Sequence, residues 1–293
     1  MADTTIVICY RSGTANMLRV CLSSIKRHTL ADYHVVVVCH GSEDTFDAGD
    51  LLGICDADVK FLDINSLAAN PSHAHGKMLD AVIPSCIETK YVMSLDSDCF
   101  PVASGWLMTL RGMLEEGAGC AGILYPYAPP SSSLRVSSVE FRVRIQQCWL
   151  NTHVACQMLA VDSFGEHPGM RYGGGDDTGL LIPAMTRNAD ARVEGYRATR
   201  SPKAALGMDE EFNRYMSIVF GDAVYHHGGF TRGPGVFESE FGNQFGWVEK
   251  RLFDEEGAEF LLDDANSYLL RYDKEDDVAR QKMSMLFGLR SER

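Results

Sequence analysis

The sequence lacks the paired cysteines, the leader and the long apolar segments that are typical of secreted and membrane proteins. Its nine cysteines are an odd number, and no two of them form a Cys-x-x-Cys pair. Cys9, Cys39 and Cys99 lie inside apolar runs, where a free thiol behaves as a small buried hydrophobe, so we expect a reducing compartment. The first residues lack the basic-then-apolar pattern of a signal peptide, and no apolar run approaches the ~20 residues of a spanning helix. These absences predict a cytoplasmic protein without a transmembrane segment.

Basic residues are also fewer than acidic ones. The chain has 27 Lys and Arg against 40 Asp and Glu, a formal net charge of −13, and the acidic surplus is concentrated between Glu249 and Asp277. Nucleic-acid binding needs clustered Lys and Arg to displace counterions, so no nucleic-acid partner is expected. With 45% hydrophobic and 23% charged residues over 293 positions, the chain has the composition of a globular protein with ample core.

Two common nucleotide-binding motifs are missing as well. No Gly-x-Gly-x-x-Gly follows the first predicted strand, and no Gly-x-x-x-x-Gly-Lys-Ser/Thr occurs in the chain. These absences count against a dinucleotide-binding Rossmann domain and against a P-loop.

What is present is an alternation of apolar strands and amphipathic helices. Continuous apolar runs predict buried strands over residues 5–10, 34–39, 59–64 and 91–95. Helical spacing of apolar residues predicts helices over residues 15–27, 71–85 and 105–116. This order predicts an α/β fold with a parallel sheet and right-handed crossovers. Beyond a Pro- and Ser-rich loop at residues 125–133, the weaker patterns predict strands at 154–161 and 219–227, a helix from 178 to 186 and a largely helical tail from 241.

The strand that ends at Leu95 runs directly into Asp96-Ser97-Asp98. Residues two apart on an extended backbone point to the same side, so the two carboxylates can converge on one ligand. At the carboxyl end of a central parallel strand they would open into the crevice where α/β sheets bind ligands. Such oxygen ligands suit Mg²⁺ or Mn²⁺. The alternative is a plain Asp/Ser turn closed by Pro101.

Other strand ends carry polar residues too. The first predicted strand ends at Tyr10, Arg11 and Ser12, and the second is followed by the polar stretch 40–44. Because the carboxyl ends of parallel strands share one edge of a sheet, a nucleoside diphosphate could lie along this edge.

These features together resemble the GT-A class of glycosyltransferases, and most closely its family-2-like enzymes. The resemblance rests on the opening strand, the helix at 16–25, the Gly41-Ser42 turn and the Asp-x-Asp after a later strand, and it covers about the first 125 residues well. It implies a Rossmann-like, mostly parallel sheet flanked by helices. Residues 1–125 would form the nucleotide-sugar-binding half, and residues 126–293 a mixed acceptor-binding half with a helical C-terminal extension, within one continuous domain.

The resemblance also implies roles for individual residues. Asp98 would hold a divalent ion that bridges the donor phosphates, and Asp96 would contact the ribose or the metal. The donor nucleotide could be UDP, GDP or dTDP. The helix before the Asp-x-Asp departs from the Arg-Asn that family-2 enzymes often carry, but its His75 and Lys77 could still meet the nucleotide. The expected donor contacts are Tyr10, Arg11, Ser12, Asp44, His75, Lys77, Asp96, Ser97 and Arg232.

The second half would supply the base and a further metal ligand. Gly173 to Gly175 precede Asp176 and Asp177, which resemble the family's acid pair, and in inverting members the second acid removes the acceptor's proton. General base action is typically worth 10²–10⁴-fold, although helix capping could also explain an aspartate here. Many GT-A enzymes use a late histidine as a metal ligand. Adjacent strand residues face opposite ways, so only one of His226 and His227 can be that ligand, and we favour His226.

The predicted function is metal-dependent transfer of a sugar from a nucleotide-diphosphate sugar to a glycan, a lipid-linked or another hydroxyl acceptor, with inversion. Mn²⁺ or Mg²⁺ is the expected cofactor, and a histidine ligand favours Mn²⁺. Two alternatives remain open: a sugar-phosphate nucleotidyltransferase, and a non-catalytic sugar- or protein-binding module of the same fold.

Overall fold

The fold is seen in a computed structural model of the 293-residue chain. The structure describes residues 2–10, 15–40, 43, 46–62, 71–127, 149–166, 170–173, 178–179, 182–183, 186, 191–200 and 218–226. In this part of the chain, no helix combines the length and the apolar character needed to cross a membrane.

Helices and strands alternate through the first half of the chain, as the apolar patterns predict. The helices are α1 (Ala15–His28), α2 (Pro71–Cys86), α3 (Trp106–Glu115) and α4 (Ser163–Glu166), with a 3₁₀ helix at Gly49–Ile54. The strands of the first half are β1 (Thr4–Tyr10), β2 (Tyr33–His40), β3 (Asp58–Leu62), β4 (Tyr91–Asp96), β5 (Cys99–Pro101) and β6 (Ala118–Tyr127). The remaining strands are β7 (Trp149–Ala160), β8 (Arg192–Arg200), β9 (Ile218–Phe220) and β10 (Val224–His226).

The strands form one sheet in the order β3-β2-β1-β4-β7-β6-β8-β9-β10-β5. The first four are parallel to one another, which requires crossovers such as α1 and α2 between them. β7 then runs antiparallel to both β4 and β6, so the rest of the sheet is mixed. The predicted α/β fold, with a parallel first half and a mixed second half, is confirmed in the described residues.

The core fills both faces of this sheet. Ile6 and Ile8 of β1 pack in the cluster that includes α1 and α3, whereas Val7 between them packs in the cluster that includes α2. A strand buried on both faces has no polar alternation, and this explains why the β1 sequence is a continuous apolar run. The sheet is therefore the middle of three layers, and its strand ends at the carboxyl edge of β1 and β4 remain available for a site.

One predicted strand is wrong in its extent. The pattern at 219–227 predicts a single strand, but the structure has the β9–β10 hairpin. Gly221 and Asp222 both have positive φ, 56° and 53°, and successive positive φ values reverse the chain direction in tight hairpins. The predicted tail helix from 241, and most of the predicted helix at 178–186, lie outside the described residues.

The pairing of β6 and β8 at Gly122 and Gly195 leads to a stability prediction. A Cβ added at Gly195 would lie 1.8 Å from the Gly122 carbonyl oxygen, and a backbone atom cannot move aside as a flexible side chain does. We expect Gly195→Ala to lower the free energy of unfolding by at least about 2 kcal/mol. The matched control is Gly112→Ala in α3. A Cβ there meets nothing within 4 Å, so this variant should raise the free energy of unfolding by about 0.5–1 kcal/mol. Urea unfolding of the two variants checks this, and equal effects would contradict it.

Candidate active site

The candidate site lies where β1 and β4 end side by side. Cys9 pairs with Asp96 in the parallel register, so Tyr10, one residue further along β1, reaches the same edge as the Asp-x-Asp segment. After Asp98 the chain enters β5, and β5 pairs with β10 so that Cys99 lies opposite His226. This pairing brings a residue from near the end of the described chain to the Asp-x-Asp turn.

Asp96, Asp98 and His226 form a compact set of possible metal ligands. One ligand atom from each lies within 4.8 Å of the other two, and Nε2 of His226 is 3.8 Å from Oδ1 of Asp98. The side chain of Asp98 is only 1% exposed. Burying two neighbouring carboxylates is costly unless positive charge offsets them. The set therefore fits a divalent cation, and an imidazole beside carboxylates favours Mn²⁺ over Mg²⁺.

A histidine on α2 contacts the same cluster. Nε2 of His75 is 3.5 Å from Oδ1 of Asp96, at the outer limit of a hydrogen bond. Desolvation lowers the pKa of His75 to about 4, so its imidazole is neutral at pH 7 and adds no charge. Lys77, also predicted as a donor contact, is exposed on the same helix. α2 thus presents a neutral hydrogen-bonding group to the carboxylates.

A second group of side chains surrounds the end of β1. The Tyr10 hydroxyl donates a hydrogen bond to Oδ1 of Asp47. The ring of Phe46 packs edge-to-face on Tyr10 and also on Phe61, with centroids 5.6 Å apart in both pairs. Asp47 and Phe46 were missed in the sequence analysis, which selected Asp44 from the neighbouring polar stretch. The end of β1 thus carries an exposed carboxylate, Asp47, and a partly exposed aromatic ring, Phe46.

A second histidine lies beside His226. The rings of His153 on β7 and His226 have centroids 5.4 Å apart at 40°. Nδ1 of His153 accepts the Ala155 backbone N–H at 3.1 Å, so this nitrogen carries no proton and the ring orientation is fixed. No local pattern indicates this contact, because His153 on β7 and His226 on β10 are far apart in the sequence.

The predicted site residues divide into two groups. The structure brings Asp96, Asp98 and His226 together, with His75 in contact with Asp96. Ser97 is fully buried between the two aspartates. The predicted residues outside the described part of the chain are Arg11, Ser12, Asp44, Asp176, Asp177, His227 and Arg232.

The geometry around His226 leads to a prediction about metal affinity. His226→Ala removes one of the three clustered ligand groups, and we expect Mn²⁺ affinity to fall by at least about tenfold. The matched control is His34→Ala, which removes a histidine whose Nε2 lies 3.3 Å from Oδ2 of Asp58, at the far edge of the sheet. Titration of Mn²⁺ by calorimetry compares the two variants. Equal affinity in His226→Ala and the wild type would remove His226 from the ligand set.

Comparisons with known proteins give structural likenesses only. No protein-family model matches the chain, and a search of curated proteins found no match. Among solved structures, residues 1–349 of TarS from S. aureus are 15% identical, with a TM-score of 0.44, over 66% of this chain and 58% of that one. Glucosyl-3-phosphoglycerate synthase from Mycobacterium tuberculosis in complex with UDP is 18% identical, with a TM-score of 0.46, over 66% and 69% of the two chains. The same synthase has also been solved with Mn²⁺, UDP and glucosyl-3-phosphoglycerate. The chain thus spans little more than half of the TarS structure.

Proposed function

We propose that this protein is a metal-dependent glycosyltransferase that moves a sugar from a nucleotide-diphosphate sugar to a hydroxyl acceptor. One observation carries the proposal: Asp96, Asp98 and His226 cluster at the carboxyl end of a central parallel strand. This is the edge at which open α/β sheets bind their ligands. An Asp-x-Asp turn alone would not need a histidine from a distant strand buried against it.

The three clustered residues would hold the cation. When bound, a divalent cation supplies positive charge that offsets the charge developing on a leaving diphosphate. Neutral His75 beside Asp96 can donate a hydrogen bond to that carboxylate or to a phosphate oxygen, and it adds no second positive charge to the site.

The residues at the end of β1 would receive the nucleotide. The Asp47 carboxylate can accept hydrogen bonds from a base or ribose, and its contact with the Tyr10 hydroxyl holds it in place. The partly exposed ring of Phe46, which packs edge-to-face on buried Tyr10, offers apolar surface against which a base can pack. In the register of β1 and β4, Tyr10 follows the Cys9–Asp96 pair by one residue, so a nucleoside at the end of β1 would lie next to a diphosphate at Asp96.

The acceptor side of the proposal rests on the sequence. Asp177 would take the proton of the acceptor hydroxyl, Asp176 would order the acceptor or its loop, and Arg232 would neutralise the leaving diphosphate. The outcome would be inversion at the sugar carbon, and the acceptor a glycan, a lipid-linked group or another hydroxyl compound.

Product analysis tests this function directly. The protein is incubated with Mn²⁺ and a set of UDP-, GDP- and dTDP-sugars, first alone and then with candidate hydroxyl acceptors. A glycosyltransferase releases the nucleoside diphosphate and, with its acceptor, forms a glycoside. In a parallel incubation with a nucleoside triphosphate and a sugar phosphate, pyrophosphate formation would instead reveal a nucleotidyltransferase. Binding of sugar nucleotides without any turnover would indicate a binding module.

A further inference from the structure

The carboxylate of Asp80 on α2 binds two successive backbone amides from a distant segment. Oδ1 accepts the Tyr172 N–H at 2.6 Å, and Oδ2 accepts the Gly173 N–H at 2.9 Å. Each oxygen serves one donor, so the pair needs both acceptors of an ionised carboxyl group. These bonds fix the position and the direction of the chain just before residue 174.

The same segment lies directly against the helix. A Cβ added at Gly76, one turn before Asp80, would lie 2.7 Å from the Cα of Gly173. Real Cβ atoms do not approach a backbone atom so closely, so only glycine allows this contact. Glycine inside a helix costs about 0.5–1 kcal/mol relative to alanine. The close approach of the two backbones is a reason for a glycine at this position.

The chain returns to the same place five residues after residue 174. The Gly179 N–H donates to the Tyr172 carbonyl oxygen at 2.7 Å, and Nε2 of Gln157, fully buried on β7, donates to the Gly179 carbonyl oxygen at 3.2 Å. Both ends of the segment 173–179 are therefore held at one point between α2 and β7. In the sequence, the proposed acids follow Gly173 by three and four positions.

The helix that holds this segment also contacts the cation cluster, through the 3.5 Å approach of His75 to Asp96. We propose that Asp80 is a positioning residue, which fixes the backbone of Tyr172 and Gly173, just before the proposed acids in the sequence, to the helix that contacts the cation cluster. For its effect on catalysis, this inference rests on the proposed glycosyl transfer. The anchor itself rests only on the contacts of Asp80 and Gly76.

The electrostatics of Asp80 agree with such a role. Desolvation raises the pKa of its carboxyl group, while the amides of Tyr172 and Gly173 lower it. A carboxylate whose pKa is raised in the folded state makes the protein less stable as pH rises through that pKa. The partly buried charge of Asp80 therefore lowers the stability of the fold, and the two amide hydrogen bonds offset part of this loss.

Asp80→Asn is the direct test, because it keeps the size of the side chain but replaces one acceptor with an NH₂ donor. The backbone N–H of either Tyr172 or Gly173 then faces the new NH₂ group instead of an acceptor. We expect hydrogen exchange at Tyr172 or Gly173 to accelerate by about 10- to 100-fold, the effect of losing one hydrogen bond to a charged acceptor. Sugar transfer at saturating donor should slow by about tenfold or more. Donor affinity and metal-dependent donor hydrolysis should stay within about twofold of the wild type.

Gly76→Ala disturbs the same contact by a different route. Alanine favours the helix, so α2 should persist while the new Cβ displaces the backbone at Gly173. We expect the same loss of transfer with donor affinity retained. The matched controls are Gly112→Ala, a helix glycine with open space around it, and Asp58→Asn, an exposed aspartate at the sheet edge. Both controls should transfer at the wild-type rate.

The outcomes separate the anchor from the function. Unchanged exchange at residues 172 and 173 in Asp80→Asn overturns the inference, whatever the activity. Donor affinity that falls as far as transfer, in both Asp80→Asn and Gly76→Ala, also overturns it, because Asp80 would then support the whole site. If the wild type neither binds nor uses any nucleotide sugar, the proposed function fails, while the exchange measurement still decides whether Asp80 holds this segment.

Discussion

Asp98→Asn is expected to slow sugar transfer by at least about 10³-fold and to abolish metal-dependent binding of the donor. Asp98 contributes a carboxylate that is 1% exposed and lies 3.8 Å from His226. An amide is neutral, so its carbonyl oxygen is a weaker ligand for a hard cation than a carboxylate oxygen is. Several kcal/mol of charge stabilisation are lost with the ligand, and each 1.36 kcal/mol corresponds to a tenfold change in rate. The measurements are the transfer rate with Mn²⁺ and calorimetric binding of the donor.

The thermal stability of Asp98→Asn should not fall with its activity. In the presence of chelator, Asp98→Asn removes the buried member of two neighbouring acids, of which Asp96 is partly exposed, so its melting temperature should equal or exceed that of the wild type. With Mn²⁺, only the wild type should gain stability. Asp58→Asn, on an exposed edge strand, serves as the control for a general effect of charge. Activity near the wild-type level in Asp98→Asn with chelator present would rule out the metal role.

Asp177→Asn is expected to slow transfer by at least about 10²-fold while stability and donor affinity stay nearly unchanged. Asparagine keeps the size and the hydrogen-bonding reach of the side chain but cannot accept the acceptor's proton at neutral pH. The expected loss is the low end of what general base catalysis provides. The rate is measured at saturating donor, together with a thermal melting curve, so that loss of chemistry is separated from loss of fold.

Asp176→Asn is the matched variant for this experiment. It removes the same charge one residue earlier and should affect acceptor binding more than the chemical step. A large loss of stability in Asp177→Asn, with only a modest loss of rate, would assign Asp177 to helix capping. Retention of the anomeric configuration in the product would contradict the base role more strongly, since a retaining reaction needs no base at that face.

β1, β2 and β4 could be predicted because they are buried on both faces. β1 and β2 are continuous apolar runs, and such runs have few alternatives in a chain of this size. β6 and β8 could not be predicted in the same way. β6 contains two glycines and two alanines in its first five residues, and β8 carries three arginines and a glutamate. Their pairing in the sheet, rather than their own propensity, makes them strands.

The site shows the same division between local and long-range information. Asp96 and Asp98 could be identified because their spacing is local and follows a strongly apolar strand. Strand alternation indicates that only one of His226 and His227 can face the aspartates, but the place of His226 opposite Cys99 depends on the β5–β10 pairing. Asp47 and Asp80 were missed because their partners, Tyr10 and Tyr172, are 37 and 92 residues away. Single aspartates in a polar stretch or on a helix give no local sign of such contacts.

The most direct test of the central proposal is a thermal shift measurement with nucleoside diphosphates. The wild type and Asp98→Asn are each melted with UDP, GDP or dTDP, with Mn²⁺ and with chelator. A ligand at 100 times its dissociation constant stabilises the folded state by ~2.7 kcal/mol, which corresponds to roughly 5–10 °C for a chain of this size. We expect one of the three nucleotides to give this shift, only in the wild type and only when Mn²⁺ is present. No shift with any nucleotide, or an equal shift in Asp98→Asn or with chelator, would contradict a nucleotide-diphosphate site built on this cluster.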